Sequence, residues 1–325
     1  MNSKDETLKI LLNNKGSYTS GEAIANQLEL SRNAVWKCIT KLKEEGYPIV
    51  SSKKLGYMLP EDLDILSLDE IKDYLIDELK DVDIHLLKTV TSTNDYAKDL
   101  AKHGANKYTL VVADTQTNGK GRMGRTFISP AGTGIYMSMI LRPKTSIETT
   151  QLITACVAVA ISKAIDTVCN TNTKIKWVND VFLNDKKLSG TLTEGAINFE
   201  TNTFDYAIVG CGINVRSIKH LLSEDLSNVA TSIEDETSLK VSRSRLIAEV
   251  FNNVYLQVKD IENKHFLEDY RSRSMIIGKQ VLVLEHGKET IAKAIGIDDT
   301  AGLIVQFKDG STKVLNSGEA RIKRN

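Results

Sequence analysis

Ten consecutive residues, Gln116-Thr-Asn-Gly-Lys-Gly-Arg-Met-Gly-Arg125, interleave three glycines with three cations. Gly119, Gly121 and Gly124 have no side chain, so the backbone can approach an anion and turn its N–H groups toward it. Lys120, Arg122 and Arg125 supply the charge that glycine lacks. A loop built this way suits a phosphate or a reactive phosphoryl compound. The spacing Gly119-x-Gly121-x-x-Gly124 also spells the dinucleotide fingerprint, which requires a helix immediately after the loop. Pro130, Gly132 and Gly134 break any helix there. The next ordered run, Gly134 to Leu141, reads as a strand, so the phosphate-loop reading is preferred over the fingerprint. A surface loop of solvated cations is the plain alternative for this segment taken alone.

Four further motifs fall at strand ends or loops. Thr91-Ser-Thr-Asn94 follows a strand and starts a helix. Lys176-Trp-Val-Asn-Asp180 puts a cation, a carboxamide and a carboxylate close together. Lys187-Leu-Ser-Gly190 and Gly210-Cys-Gly-Ile-Asn214 complete the set. Each has a plainer reading by itself: a helix cap, a core tryptophan, a turn asparagine.

The elements that position these motifs follow from periodicity. Strand-like runs cover Ile84–Val90, Tyr108–Thr115, Gly134–Leu141, Thr173–Trp177, Asp180–Leu183, Lys187–Glu194 and Phe204–Ile213. Helical spacing marks Asn94–Lys102 and Gln151–Val168, the latter with Ile153, Val157, Ala160, Ile161 and Ala164 on a broad apolar face. Strands outnumber helices and many look hairpin-linked, which predicts an α+β domain rather than a doubly wound one. Upstream, Ser67-Leu-Asp-Glu70 is a capping box that opens a helix to about Leu79. The acidic stretch Pro60-Glu-Asp-Leu-Asp64 before it reads as a linker.

The first sixty residues have their own pattern. Leu8, Leu11 and Leu12 form one stripe on a helix from Asp5 to Asn14. Thr19-Ser-Gly-Glu22 is a capping box before Ile24, Ala25 and Leu28. Ser31 caps a helix from Arg32 to Glu45 that buries Val35, Ile39 and Leu42 and ends at Gly46. Two short helices joined by a tight turn are the helix-turn-helix pattern. Arg32, Asn33 and Lys37 lie on the exposed face of the second, where they can read base edges in a major groove. Tyr47–Ser52 and Gly56–Leu59 then form a hairpin around Lys53, suited to a phosphate contact. Nine Lys and Arg against six Asp and Glu over residues 1–60 give this segment a surplus of +3. A small helical bundle with solvated lysines is the competing reading, and the winged helix is preferred.

Composition bounds the rest. A length of 325 residues predicts two or three domains. The 42 acidic residues balance the 42 basic ones, so no global field draws nucleic acid and any such binding needs a local patch. The polar start, Met-Asn-Ser-Lys-Asp-Glu-Thr, predicts no signal peptide. The run Leu152–Ile161 reads as a buried helix, too short to span a bilayer. Four scattered cysteines, with no C-x-x-C, argue against zinc and disulfides and predict a reducing, cytoplasmic setting.

Taken together, the order and spacing of these motifs resemble the biotin–protein ligase family over essentially the whole chain. The winged helix in front resembles its bifunctional members, the biotin-operon repressors. The resemblance implies three domains: a winged helix-turn-helix over 1–62, a mixed-sheet catalytic domain over 63–272 and an SH3-like β-barrel over 273–325. It implies ATP-dependent formation of biotinyl-5'-AMP and transfer of biotin to a lysine of a carrier domain. Acetyl-CoA carboxylase and pyruvate carboxylase carriers, operator DNA and a second copy of the chain in an adenylate-bound homodimer are the implied partners, with no membrane. Magnesium is expected with the ATP phosphates, held largely by them, and no protein metal site is implied.

Residue by residue, the resemblance assigns Arg122 and Lys187 to the reacting carboxylate–phosphate group, with Lys176 as a further cation. Asp180 orients or deprotonates the attacking amine. Ser92, Thr93 and Gln116 serve the ureido ring of biotin, with Gly119, Lys120 and Gly190 beside it. Arg125, Phe127, Asn179 and Asn214 complete the adenylate site. Four positions depart from the family pattern: Lys120 for Arg, Thr91 for Asp, Phe127 for Trp, and Val178 for Pro. The rival readings are a lipoate-type ligase, a ligand-sensing repressor with a decayed enzyme domain, and a ligase whose first domain no longer binds DNA.

Overall fold

The computed structural model describes residues 3–44, 47–61, 63–143, 150–198, 203–285, 288–316, 318 and 320–322. Close packing divides the chain into two compact units, Met1–Asp64 and Ile65–Asn325.

In the first unit, α1 (Ser3–Asn13), α2 (Gly21–Gln27) and α3 (Arg32–Glu44) precede an antiparallel ribbon of β1 (Val50–Ser52) and β2 (Gly56–Met58). The helical stripes meet in one core, where Leu11, Ile24, Val35, Ile39 and Leu42 are joined by Ile49 and Leu59. Ser31 caps α3 through Ala34 N at 3.1 Å, as its position predicts. The cap on α2 is Ser20 rather than Thr19, its Oγ accepting from Ala23 N at 3.0 Å. Thr19 is drawn away because its backbone exchanges two hydrogen bonds with Tyr57 of the ribbon. Glu45 and Gly46, assigned to the end of α3, lie outside the described residues, as does Asp62 in the linker.

The second unit opens with α4 (Leu68–Asp73), capped by Ser67. The sequence predicts one helix to Leu79, but the helix stops six residues earlier. Asn252, distant in sequence, accepts from Ile76 N at 3.1 Å and donates to Tyr74 O at 2.9 Å. Lys80 Nζ takes the carbonyl of Lys72 at 2.7 Å. These side chains satisfy the groups that helical bonds would have used, so a bend and a separate 3-10 turn, Asp77–Leu79, replace the last turns of a continuous helix.

The chemistry-bearing motifs then hang on β3 (Ile84–Val90), α5 (Thr93–Lys102), β4 (Leu110–Gln116), β5 (Gly134–Leu141), α6 (Thr150–Cys169), β6 (Lys174–Lys176), β7 (Asp180–Leu183), β8 (Lys186–Asn198) and β9 (Thr203–Asn214). The strands form one sheet in the order β3-β4-β5-β9-β8-β7-β6. β3 and β4 run parallel through the α5 crossover, and every other neighbour pair is antiparallel. The sheet is therefore mixed, within an α+β chain. β5 is buried along its whole length, the burial expected of a central strand. The stretch Gln151–Cys169 of α6 is long and apolar enough to cross a membrane, and 78% of it is buried inside this unit.

Two short helices, α7 (Glu224–Ser227) and α8 (Ile233–Thr237), lead to α9 (Arg243–Lys259) and α10 (Phe266–Ser272). The strand-and-motif reading does not identify α9. Yet Leu246, Val250, Phe251, Val254 and Val258 form a helical stripe behind a Ser242 cap, and they pack with α6 in the core. The last strands, β10 (Gln280–Glu285), β11 (Lys288–Ile297), β12 (Leu303–Gln306), β13 (Thr312–Leu315) and β14 (Ala320–Ile322), form an antiparallel sheet ordered β13-β12-β11-β10-β14. It is tied to the larger sheet by Trp177 Nε1, which donates to Ala301 O at 3.0 Å, and by Gln151 Nε2, which donates to the same carbonyl at 2.8 Å.

Candidate active site

The motifs of the second unit converge on one cavity of about 520 Å³ at an end of the larger sheet. Ser92, Thr93, Gln116, Lys120, Arg122, Arg125, Phe127, Lys176, Asn179, Asp180, Lys187, Gly190 and Asn214 all line it. Gly119 does not. It lies behind the wall, where an added Cβ would stand 2.3 Å from Phe127 O and 2.6 Å from Ser129 Oγ. Only glycine lets the loop cross there, so this residue shapes the site from outside it.

Charge is the cavity's main feature. Among the described residues, Lys120, Arg122, Arg125, Lys176, Lys187 and Arg321 line it, against the single carboxylate of Asp180. Six cations and one anion leave a local surplus of five positive charges in a chain with no net charge. A pocket of this kind attracts a polyanion and stabilises charge that develops inside it. Arg321 comes from β14, far from every motif, and the sequence reading did not include it.

The cations differ in what holds them. Arg122 sits in a single 3-10 turn, Arg122–Gly124, whose central Met123 has φ 57°. Its guanidinium donates to Asn179 Oδ1 at 3.0 Å and to Gly318 O at 3.2 Å. Asn179 is buried and fixes the fork by donating its own Nδ2 to Thr191 O at 2.7 Å. Lys187 Nζ lies 2.7 Å from Asp180 Oδ1. That meeting depends on a register shift between Val181 and Phe182. Asp180 faces Gly190, but Phe182 faces Lys187, leaving Leu188 as an extra, fully buried residue. Bulges re-aim side chains in this manner beside functional sites. Lys187 is further clamped by its backbone, which bonds Val229 O at 2.8 Å and Thr231 N at 2.9 Å. Lys120 turns its Nζ to Asp95 Oδ1 at 2.6 Å while its backbone bridges Thr126.

The other end of the cavity is polar and uncharged. Ser92 caps α5, and Gln116 Oε1 accepts from Thr93 N at 2.9 Å, with Thr93 Oγ1 3.0 Å away. Gln116 Nε2 donates to Ser129 Oγ at 2.9 Å. Two glycines of β9 make room. A Cβ on Gly210 would meet Asn94 Oδ1 at 2.1 Å, and one on Gly212 would meet the Phe127 ring at 2.5 Å. Phe127 lies against Gly212 and edge-on to Tyr136, with centroids 6.3 Å apart. Asn214 is buried and donates to Thr231 O at 2.9 Å, so part of its carboxamide is already engaged. Cys211, between the two glycines, also lines the cavity, and burial pushes its thiol up to about 12. At neutral pH it is an inert neighbour rather than a nucleophile.

Of the positions that depart from the family pattern, Thr91 contributes its carbonyl, which accepts from Asn118 N at 2.8 Å. Val178 is buried after a cis peptide bond from Trp177. Two supports were invisible to motif reading. Arg243 of α9 is 1% exposed and donates to Asp114 Oδ1 at 2.7 Å and to Gly134 O at 3.2 Å, bracing the base of the glycine loop. The stretch 218–230 walls the cavity with Ile218, Leu222, Leu226 and Val229. Among the described residues no group of three or more His, Cys, Asp or Glu could hold a metal ion.

In the first unit, Arg32, Asn33 and Lys37 are exposed on α3, and Lys53 is exposed at the tip of the ribbon. Arg32 pairs with Glu22 at 2.5 Å, with both side chains more than 60% exposed. An ion pair so solvated is weak and yields readily to a phosphate.

The chain is similar to known proteins along most of its length. Residues 86–214 match the biotin/lipoate A/B protein ligase family, residues 4–58 an HTH domain and residues 276–321 the biotin protein ligase C terminal domain. The bifunctional ligase/repressor BirA of Bacillus subtilis is 33% identical over 92% of this chain and 93% of its own length. The bifunctional ligase/repressor BirA of Escherichia coli is 26% identical over 98% of each. The biotin protein ligase from Aquifex aeolicus, solved in complex with biotin and ATP, superposes with a TM-score of 0.64 at 27% identity, covering 75% of this chain and 99% of that one.

Proposed function

The chain belongs to the bifunctional biotin–protein ligase/repressor family, and from that premise we propose how its residues divide the work. It is an ATP-dependent biotin–protein ligase and a DNA-binding repressor. The observation that carries the site assignment is the six-to-one excess of cations, among the described residues, lining a cavity whose far end is neutral and hydrogen-bonding. A polyanion and a polar uncharged ring are what those two ends suit.

In the first step a carboxylate oxygen of biotin attacks the α-phosphorus of ATP. A P–O bond forms, the bond to the β-phosphate bridge breaks, and pyrophosphate leaves. Two anions must meet, so the cations do most of the work. Arg122, preset by Asn179, and Lys187 hold the reacting group, while Lys176 and Arg125 hold the phosphates. Asn214 and Phe127 receive the adenosine. Ser92, Thr93 and Gln116 take the ureido ring, with Lys120 contributing its backbone and Gly119 and Gly190 giving space. Magnesium would enter as Mg-ATP, held largely by the phosphates, because among the described residues Asp180 is the one carboxylate lining the cavity.

In the second step a carrier lysine attacks the acyl carbon of the anhydride. A C–N bond forms, AMP leaves, and the amine proton passes to Asp180. Lys187 Nζ lies 2.7 Å from Asp180 Oδ1. Drawn toward phosphate, Lys187 frees that carboxylate for the amine.

The carrier is a carboxylase domain, and we take acetyl-CoA carboxylase and pyruvate carboxylase to be its sources, in the cytoplasm. The chain divides as 1–62, 63–272 and 273–325, and the five antiparallel strands of the last part support an SH3-like barrel. Arg32, Asn33, Lys37 and Lys53 contact operator DNA. Bound adenylate fixes loop 116–125, the chain dimerises, and the dimer binds the operator.

Biotin-dependent exchange of labelled pyrophosphate into ATP tests the enzyme reading. Biotin supports exchange and lipoate does not. Exchange with lipoate alone would turn the assignment to a lipoate-type ligase.

A further inference from the structure

At the neutral end of the cavity, four oxygens stand in a row. Asn94 Oδ1 is 2.7 Å from Ser138 Oγ, Ser138 Oγ is 2.8 Å from Thr93 Oγ1, and Thr93 Oγ1 is 3.0 Å from Gln116 Oε1. Three close contacts need three protons. The two carboxamide oxygens carry none, and the two hydroxyls carry one each. The row is one proton short.

Both ends of the row are pinned. At one end Asn94 Nδ2 donates to Glu194 Oε2 at 2.7 Å, and Glu194 Oε1 pairs with Lys98 at 3.1 Å. A carboxylate beside an ammonium accepts hydrogen bonds and donates none, so Asn94 cannot turn its oxygen toward it. At the other end Gln116 Oε1 receives Thr93 N at 2.9 Å, and Gln116 Nε2 is held by Ser129. Asn94 also lines the cavity, but its Oδ1 lies against Gly210, where an added Cβ would stand 2.1 Å away, and Ser138 is fully buried, so water does not supply the missing proton to Asn94 Oδ1. Ser138 must therefore give its proton to Asn94. Thr93 gives its own proton to Ser138 or to Gln116. In either case no donor is aimed at Thr93 Oγ1, which lines the cavity.

We propose that Glu194, acting through Asn94 and Ser138, fixes Thr93 as a hydrogen-bond acceptor toward the ligand and so selects a ring that presents an N–H. Resting on the biotin reading above, this makes Glu194 a positioning residue outside the cavity. The ureido N–H supplies the proton that the row lacks, and a dithiolane ring has none to offer.

The test is Glu194→Gln in the full chain, with biotin as the probe in calorimetry and in steady-state exchange. Lys98 keeps the oxygen of the new carboxamide on its own side, so the amide nitrogen faces Asn94 and reverses the Asn94 side chain. Ser138 then donates to Thr93, whose acceptor role is lost. Biotin Kd and KM rise about five- to ten-fold, the worth of one neutral hydrogen bond. KM for ATP and kcat stay as in the wild type. Adding Lys98→Met frees the introduced amide to turn back and returns the affinity toward the wild-type value. In a Thr93→Val background the Glu194→Gln penalty falls below about two-fold, because the row then has nothing to act through. An unchanged biotin Kd in Glu194→Gln overturns the inference, and so does a full penalty that persists beside Thr93→Val. A wild-type chain that does not bind biotin overturns the functional reading itself.

Discussion

Replacing Lys187 by alanine is the perturbation whose consequences the geometry specifies best. Lys187 Nζ lies 2.7 Å from Asp180 Oδ1, with the two side chains 36% and 21% exposed. Removing a preorganised cation from developing charge costs about 10²- to 10³-fold in rate. A second loss follows from the ion pair. Asp180 becomes an uncompensated carboxylate in a site that must admit a triphosphate. Unit charges a few ångströms apart interact by about 4 kcal/mol near a protein surface, and partial exposure screens much of that. The combined loss in adenylate formation is about 10³-fold. Removing Asp180 as well relieves the repulsion, so Lys187→Ala/Asp180→Ala forms adenylate about tenfold faster than Lys187→Ala alone. Single-turnover pyrophosphate release isolates this half-reaction from transfer, where Asp180 is itself needed. Near wild-type release by Lys187→Ala would refute the assignment of the cation. A double variant slower than the single one would refute the proposed repulsion.

Four further outcomes are expected. Arg122→Gly, which loses the bonds to Asn179 and Gly318, yields a working but leaky site, read as free biotinyl-adenylate in the medium; retained activity without leakage counts against the role. Arg32→Ala and Lys37→Ala each weaken operator binding by about 1–3 kcal/mol in a gel-shift titration while ligation is unchanged, and a parallel loss of ligation would show that the two functions are not separated this way. Arg243→Ala removes the bonds to Asp114 and Gly134 O while Asp114 keeps Gly132 N, and it lowers stability by about 1.5–3 kcal/mol in denaturant unfolding, whereas a loss under about 1 kcal/mol would mean that the brace is dispensable. Sedimentation finds the free chain mainly monomeric and the adenylate-bound chain dimeric, and an unchanged association constant would defeat that coupling.

Much of the cavity was legible because its chemistry is written in short contiguous motifs. The glycine loop, Lys176–Asp180 and Lys187–Gly190 carry their charges within a few residues, and the strands around them alternate regularly enough to locate. What escaped is held by distant pairs. Arg243 and Asp114 are 129 positions apart, and no local spacing marks either as a partner. Arg321 reaches the cavity only because a separate sheet folds beside it. The early end of α4 depends on Asn252, which intrinsic helix preference cannot anticipate. The bulge at Leu188 that turns Lys187 toward Asp180 also lacks a sequence signal, since the strand pattern continues through it. The helix α9 is a different case. Its Ser242 cap and apolar stripe are readable in the sequence, but no chemistry-bearing motif lies near enough to point to them.

One cavity that joins biotin to AMP and then hands it to a carrier lysine leaves a direct mark on the acceptor. The measurement is intact-mass spectrometry of a carboxylase carrier domain incubated with the full chain, biotin and Mg-ATP. One biotinyl group on one lysine is expected, formed only when ATP is present and only slowly with Lys187→Ala. A carrier that stays unmodified under these conditions, or that gains biotin without ATP, would contradict that chemistry.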